Sequence, residues 1–191
     1  MEHDALVQAR QRFARATEAL EDLERAASYN EAESAWSDFL LATSTIFSKL
    51  EQGAKGQGKS TAWFGRQKRR RKIDPVLQYL HFARNSDEHG IKRVTERHPD
   101  SNWQGKPKAF WEREELELEK VDKETGEPTG LKFKAWATGP RLSLVRASDS
   151  RFGDYCDPPT LEGELPNDPL AVAKAALPIL DEILVEAEEL V

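Results

Sequence analysis

Apolar residues fall in two rhythms along this chain, a helical one towards both ends and an alternating one between them. From Asp4 to Ala27, Leu6, Ala9, Phe13, Ala16, Leu20 and Leu23 recur at steps of three and four among good helix formers, which predicts an amphipathic helix. Ser28-Tyr29-Asn30 interrupts it, and Asn30 is placed to cap a second helix whose stripe is Trp36, Phe39, Leu40, Thr43, Phe47 and Leu50. Two long helices with a short break predict an antiparallel hairpin, the starting unit of a bundle. Gly53, Gly56 and Gly58 end the second helix and open a basic loop, after which Ser60 can cap a short helix carrying Trp63 and Phe64. Asp74-Pro75 is a start signal for the next helix, a capping Asp with proline at the first helical position. That helix turns Val76, Leu77, Leu80 and Ala83 inward and is expected to stop near Gly90.

Beyond Pro99 the rhythm changes to a period of two. Glu115-Leu116-Glu117-Leu118-Glu119 alternates, Thr125-Gly126-Glu127-Pro128 turns, and Leu131, Phe133 and Ala135 alternate again. Gly139-Pro140 turns once more into Leu142-Ser143-Leu144-Val145, so a small antiparallel meander of two or three strands is expected. Asp168-Pro169 repeats the helix start signal and opens a last helix to about Leu190, kinked or begun late at Pro178. The expectation is one mainly α domain over residues 1–191, an up-and-down helical bundle with a β insertion at 105–157 before the last helix.

Composition narrows the functional classes. No run approaches the roughly 20 apolar residues of a membrane span, and the acidic start Met1-Glu2-His3-Asp4 is unlike a secretory signal. Cys156 is the only cysteine, which excludes an internal disulfide and a multi-thiolate metal site and fits a reducing, cytoplasmic setting. With four scattered histidines, neither a metal nor another cofactor is expected. The net charge of −6 argues against coating nucleic acid over the whole surface, but the charge is unevenly spread. Gly53 to Lys72 holds eight Lys or Arg and no acid, whereas Glu162 to Val191 holds eight acids and one lysine.

Three patterns bear on chemistry. Gly53-Ala54-Lys55-Gly56-Gln57-Gly58-Lys59-Ser60 matches the phosphate-loop pattern, and Leu177-Pro178-Ile179-Leu180-Asp181 resembles its magnesium-positioning partner. A phosphate loop leaves a buried strand and enters a helix, whereas the segment before Gly53 has helical periodicity, so the match is expected to be a Gly/Lys loop between helices. The cations Lys55, Lys59, Arg66, Lys68, Arg69, Arg70, Arg71 and Lys72 form the second pattern. They suit phosphate contacts with RNA, or docking on the acidic C-terminal helix of another subunit or partner, against the plainer role of a solvated face. Trp63 and Phe64 beside them are expected to be core anchors rather than base-stacking platforms.

The third pattern is Arg84-Asn85-Ser86-Asp87-Glu88-His89-Gly90 at a helix end. A guanidinium, an amide and an imidazole suit phosphodiester chemistry: His89 to move a proton, Arg84 to stabilise charge on phosphorus, Asn85 to hold an oxygen or orient the histidine. Positions 84 and 89 diverge by about 140° on an ideal helix, so they converge within one chain only if the helix ends or bends between them. The plainer reading is a capped helix end with Arg84 paired to Asp87 or Glu88.

The stretch from Asp74 to Gly90 resembles the signature of the HEPN superfamily, a helix ending in Arg followed by a polar residue, most often Asn, and then His. The helical hairpin and the late helix resemble that family's up-and-down bundle, with the strand region as an insertion. Arg93…His98 repeats the Arg-x4-His spacing without the Asn. The resemblance implies a homodimer in which two Arg/His sets meet. In active members it implies metal-independent RNA cleavage leaving a cyclic phosphate, often in toxin–antitoxin or phage-defence systems, where an antitoxin is a further partner. Other members are non-catalytic modules that bind protein or nucleic acid. Asp87 and Glu88, between the key residues, depart from what a phosphate site favours.

Overall fold

The computed structural model describes residues 1–89, 93–101, 108–148 and 153–191, with the side chains of Glu88 and His89 outside the description. The chain divides into two compact units, a helical one formed by Met1–Glu96 with Leu142–Val191, and a β-rich one formed by Arg97–Arg141. The expected insertion at 105–157 therefore differs from the β-rich unit at both ends.

The helical unit holds α1 (His3–Arg25), α2 (Tyr29–Ala54), α3 (Gly58–Ile73), α4 (Pro75–His89) and α5 (Pro169–Glu188) among its described residues. The boundaries follow local hydrogen bonding. Ser28, not Asn30, caps α2: its side chain accepts from the Glu31 N–H at 3.3 Å, and the Glu31 carboxylate reaches back to the Ala27 N–H at 2.7 Å. This reciprocal arrangement satisfies donors that the first turn leaves open. Asp74 caps α4 by accepting from Val76 and Leu77 N–H groups, both at 3.0 Å. Asp168 does the same for α5 through Leu170 N–H at 3.0 Å, and α5 then runs through Pro178 without starting late there. The short helix expected at Ser60 is the first part of α3, which begins at Gly58 and carries the whole basic run.

α1 lies along α2 and also packs on α5, while α4 packs on α2 and α3. Their apolar stripes close one core in which Leu23, Trp36, Phe39, Leu40, Leu50, Leu77 and Leu180 are almost fully buried. Each such side chain contributes roughly 1.5–3 kcal/mol relative to exposure. Trp36 and Phe39 stack with centroids 5.8 Å apart. Tyr79, buried on α4, donates its hydroxyl to the Val145 carbonyl at 2.8 Å and so ties the returning chain to the helix. Asn167, in the left-handed region at φ 59°, accepts from the Leu144 N–H at 2.8 Å just before α5.

The strands form two-stranded pairs rather than one meander. β1 (Thr95–His98) pairs with β4 (Arg141–Leu144), β2 (Arg113–Val121) with β3 (Pro128–Thr138), and β5 (Ala147–Ser148) with β6 (Tyr155–Cys156). Thus Leu142–Leu144 does not add to the β2–β3 hairpin as a third strand. In that hairpin Leu116 faces Ala135 and Leu118 faces Phe133, whereas Glu117 faces Lys134 and Glu119 faces Lys132. One face is therefore apolar and the other a ladder of opposite charges, the pattern an alternating sequence dictates. At the hairpin base a Cβ on Gly139 would lie 1.9 Å from the Ala109 carbonyl oxygen, so only glycine fits there.

Candidate nucleic-acid interface and the Arg-Asn helix

The phosphate-loop match is a helix–turn–helix. α2 continues through Gly53 to Ala54, Gly56 takes the turn at φ 79°, and α3 begins at Gly58. Gly53 is buried, and a Cβ there would lie 2.5 Å from the Ala5 Cβ on α1. Its lack of a side chain serves helix packing, not approach to a phosphate. The Ser60 hydroxyl accepts from the Met1 ammonium at 2.7 Å, and the same ammonium donates to the Leu190 carbonyl at 2.7 Å and to the Gln57 side chain. No strand leads into the turn, so the sequence reading of this match as a helix connection holds.

The basic run is divided by the fold. Arg70 bonds Glu182 at 2.6 Å on α5, and Lys68 bonds Glu51 on α2. The bond from Arg70 lowers the Glu182 carboxyl below its ordinary value, and the bond from Lys68 does the same for Glu51. Arg71 turns inward and stacks over Phe47, 4.9 Å from the ring centre. Burial pulls its guanidinium down from its ordinary value, and the more distant Glu51 only partly offsets this. Lys55, Lys59, Arg66, Arg69 and Lys72 remain exposed, with no ion-pair partner among the described residues. Lys59, Arg66 and Arg69 fall within about 80° of one another around α3 and so share a face.

Trp63 and Phe64 are buried and not free to stack on bases. Trp63 donates its indole N–H to Glu186 at 2.8 Å, and Gln67 donates to the same carboxylate at 2.7 Å. The acidic C-terminal helix α5 is engaged within the chain: Asp181 and Glu188 hold Arg10, while Glu182 and Glu186 hold Arg70, Trp63 and Gln67. Burial pulls the Arg10 guanidinium down, but its two carboxylate bonds outweigh this and leave it raised.

On α4, Arg84 and Asn85 are half-buried and Asp87 is exposed. Ser86 is buried and exchanges two hydrogen bonds with Ser148 of β5: its hydroxyl donates to the carbonyl at 2.5 Å and accepts from the N–H at 2.9 Å. α4 runs as helix to His89, so positions 84 and 89 stand about 140° apart around its axis. Within one chain, then, the helix does not end between them. The His89 side chain and the expected stop at Gly90 lie outside the described residues. The second Arg-x4-His match, Arg93 to His98, ends on strand β1.

His81 lies outside the Arg-Asn-His motif. It precedes Arg84 by three positions, about 60° around the helix, and lines a cavity with Arg71, Ser44 and Phe47. Its spacing from Arg84 was visible in the sequence, but its neighbours come from α2 and α3. Cys156 is an unactivated thiol, pushed up by burial and then by Asp157. Among the described residues no group of three or more His, Cys, Asp or Glu could hold a metal ion, and no helix is long and apolar enough to cross a membrane. Comparison with protein-family models, with characterised proteins and with solved structures gave no match.

Proposed function

We propose that the chain is a HEPN-like helical protein that acts on RNA, as a metal-independent endoribonuclease of toxin or defence type. The observation that carries the reading is the placement of the motif on α4. Asn85 and position 89 lie one turn apart, and so on one face, turned away from the Leu77, Leu80 and Ala83 side that enters the core. Arg84 stands about 100° from Asn85 around the helix, one turn beyond Leu80 on the side that carries Leu77 and Leu80, and is half-buried. A helix that presents these positions together supplies an amide and an imidazole to one phosphodiester, and two such helices meeting in a homodimer bring a guanidinium from the second chain. The exposed cations Lys59, Arg66 and Arg69 on the preceding helix add the phosphate contacts that RNA binding needs.

A non-catalytic interaction module is the second reading. It is favoured by the 140° separation of positions 84 and 89 and by the exposed carboxylate of Asp87 between them. Incubation of cellular RNA with the purified chain in EDTA separates the two. Cleavage that persists in EDTA and is lost in His89→Ala and Arg84→Ala supports the nuclease. Intact RNA with the wild type, or equal cutting by all three proteins, overturns it.

A further inference from the structure

Helix α3 carries no carboxylate of its own, and its solvent side is ordered rather than uniformly basic. At about 100° per residue, Lys59, Ala62, Arg66, Arg69 and Ile73 fall in one stripe about 80° wide, and all five are exposed. The three cations of the stripe stay in water. Lys68 and Arg70, on either side of it, are held by Glu51 on α2 and Glu182 on α5, so those two carboxylates are already paired.

Lys59 and Arg66 stand about 10 Å apart along the helix axis, and Lys59 and Arg69 about 15 Å apart. Between them the surface is low. Ala62 offers a single methyl, and beside it a Cβ on Gly65 would meet nothing within 4 Å. The helix can therefore lie close on a shallow surface while cations reach down at two levels. The wide, shallow minor groove of an A-form RNA helix, edged by two rows of phosphate, is such a surface. An unpaired strand suits it less. Proteins that hold single strands add aromatic platforms for the bases, and the two aromatic residues of α3, Trp63 and Phe64, are buried. A lipid surface suits it less as well: Ile73, 71% exposed, is the one large apolar side chain of the stripe, whereas a helix bedded in lipid needs an apolar face.

We propose that this stripe docks a double-stranded stem of RNA across its minor groove, through phosphates and without sequence preference. The inference rests on the reading that the chain acts on RNA, and it narrows the substrate to a folded RNA. Lys59 meets one row of phosphates, and Arg66 and Arg69 meet the other. Ala62 lies over the groove between them. α3 also packs on α4, so the strand that leaves a stem seated here is carried towards the helix of Arg84, Asn85 and position 89.

Fluorescence anisotropy of the full chain across a salt series tests this, with a labelled RNA duplex of about 20 base pairs and each of its strands alone. The duplex is expected to bind at least tenfold more tightly than either strand. Its log–log salt slope is expected near −3, from about −0.9 for each of three phosphates. Lys59→Gln, Arg66→Gln and Arg69→Gln should each make that slope shallower by about 1. Lys123→Gln, an exposed cation outside α3, should leave it unchanged. Ala62→Glu sets a carboxylate between the cations and is expected to weaken duplex binding tenfold or more. All these positions are exposed, so the substitutions leave the core intact. Equal affinity for duplex and strands, an unchanged slope in the three cation variants of α3, or tighter retention on phosphatidylserine vesicles than on the duplex overturns the proposal. Gel analysis of the same samples reads cleavage separately. Duplex binding without cutting supports the stem site and counts against the nuclease reading alone; cutting of single strands without duplex binding overturns the stem site and leaves the nuclease reading standing.

Discussion

Gly53→Ala puts the packing account of the phosphate-loop match to a quantitative test. In an ordinary helix interior this change is favourable by about 0.8–1.0 kcal/mol, because alanine loses less backbone entropy on folding. At Gly53 the added methyl would lie 2.5 Å from the Ala5 Cβ and 2.9 Å from the Met1 Sδ. The methionine end can move, but Ala5 is buried on α1, so relief requires α1 and α2 to separate. Overpacking of this kind costs about 1–3 kcal/mol, which leaves a net loss of about 1 kcal/mol. Gly65 is the matched control: it is exposed, lies within α3, and a Cβ there meets nothing within 4 Å. Gly65→Ala is expected to gain close to the full 1 kcal/mol. With a urea slope of about 2 kcal/mol/M, the two variants shift the unfolding midpoint in opposite directions by about 0.5 M each. Urea titration followed by helical circular dichroism reads this directly. A double variant with Ala5→Gly should reverse the sign of the Gly53→Ala effect, since it removes the atom that is struck. The reasoning is refuted if Gly53→Ala raises the midpoint as Gly65→Ala does.

Two further outcomes follow from the same geometry. Ser86→Ala leaves the Ser148 N–H and carbonyl without their partner on α4, and is expected to cost about 1–3 kcal/mol in the same titration; a loss under 0.5 kcal/mol would remove Ser86 from the contact that joins α4 to β5. The carboxyls of Glu51 and Glu182 are held below their ordinary value of 4.5 by Lys68 and Arg70. A depressed folded-state pKa contributes stability that is present above the unfolded value and lost as pH falls through the folded one. Thermal stability is therefore expected to fall as pH drops below about 4.5, with a shallower decline in Glu182→Gln; an unchanged slope in that variant would show that the Arg70 contact contributes nothing.

Much of the helical architecture was legible because period, caps and breakers agreed. The stripes of α1 and α2 and the Asp-Pro starts of α4 and α5 each rest on neighbours within a few residues, and local rules reach that far. The α2 cap is Ser28 rather than Asn30, and Ser28-x-x-Glu31 carries the reciprocal capping pattern in the sequence itself, the serine accepting from Glu31 N–H and the carboxylate from Ala27 N–H. The third strand of the expected meander failed for a different reason. Alternation marks Leu142–Leu144 as a strand, but pairing it with β1 rather than β3 depends on partners far away in sequence.

For the site, the sequence by itself determined which chemical groups exist and how α4 orders them: Arg84, Asn85 and His89 on one helix, and a dense basic run on the helix before it. Tertiary structure decided what each group meets. It paired Lys68 and Arg70 with the carboxylates of α2 and α5, and engaged Ser86 with β5. It also turned Arg71 alone into a cavity beside His81. A charge run reads as uniform along the chain because each residue carries the same formal charge. Its energetics differ from one position to the next because the helix points successive residues about 100° apart, towards a carboxylate, towards water, or towards an apolar interior.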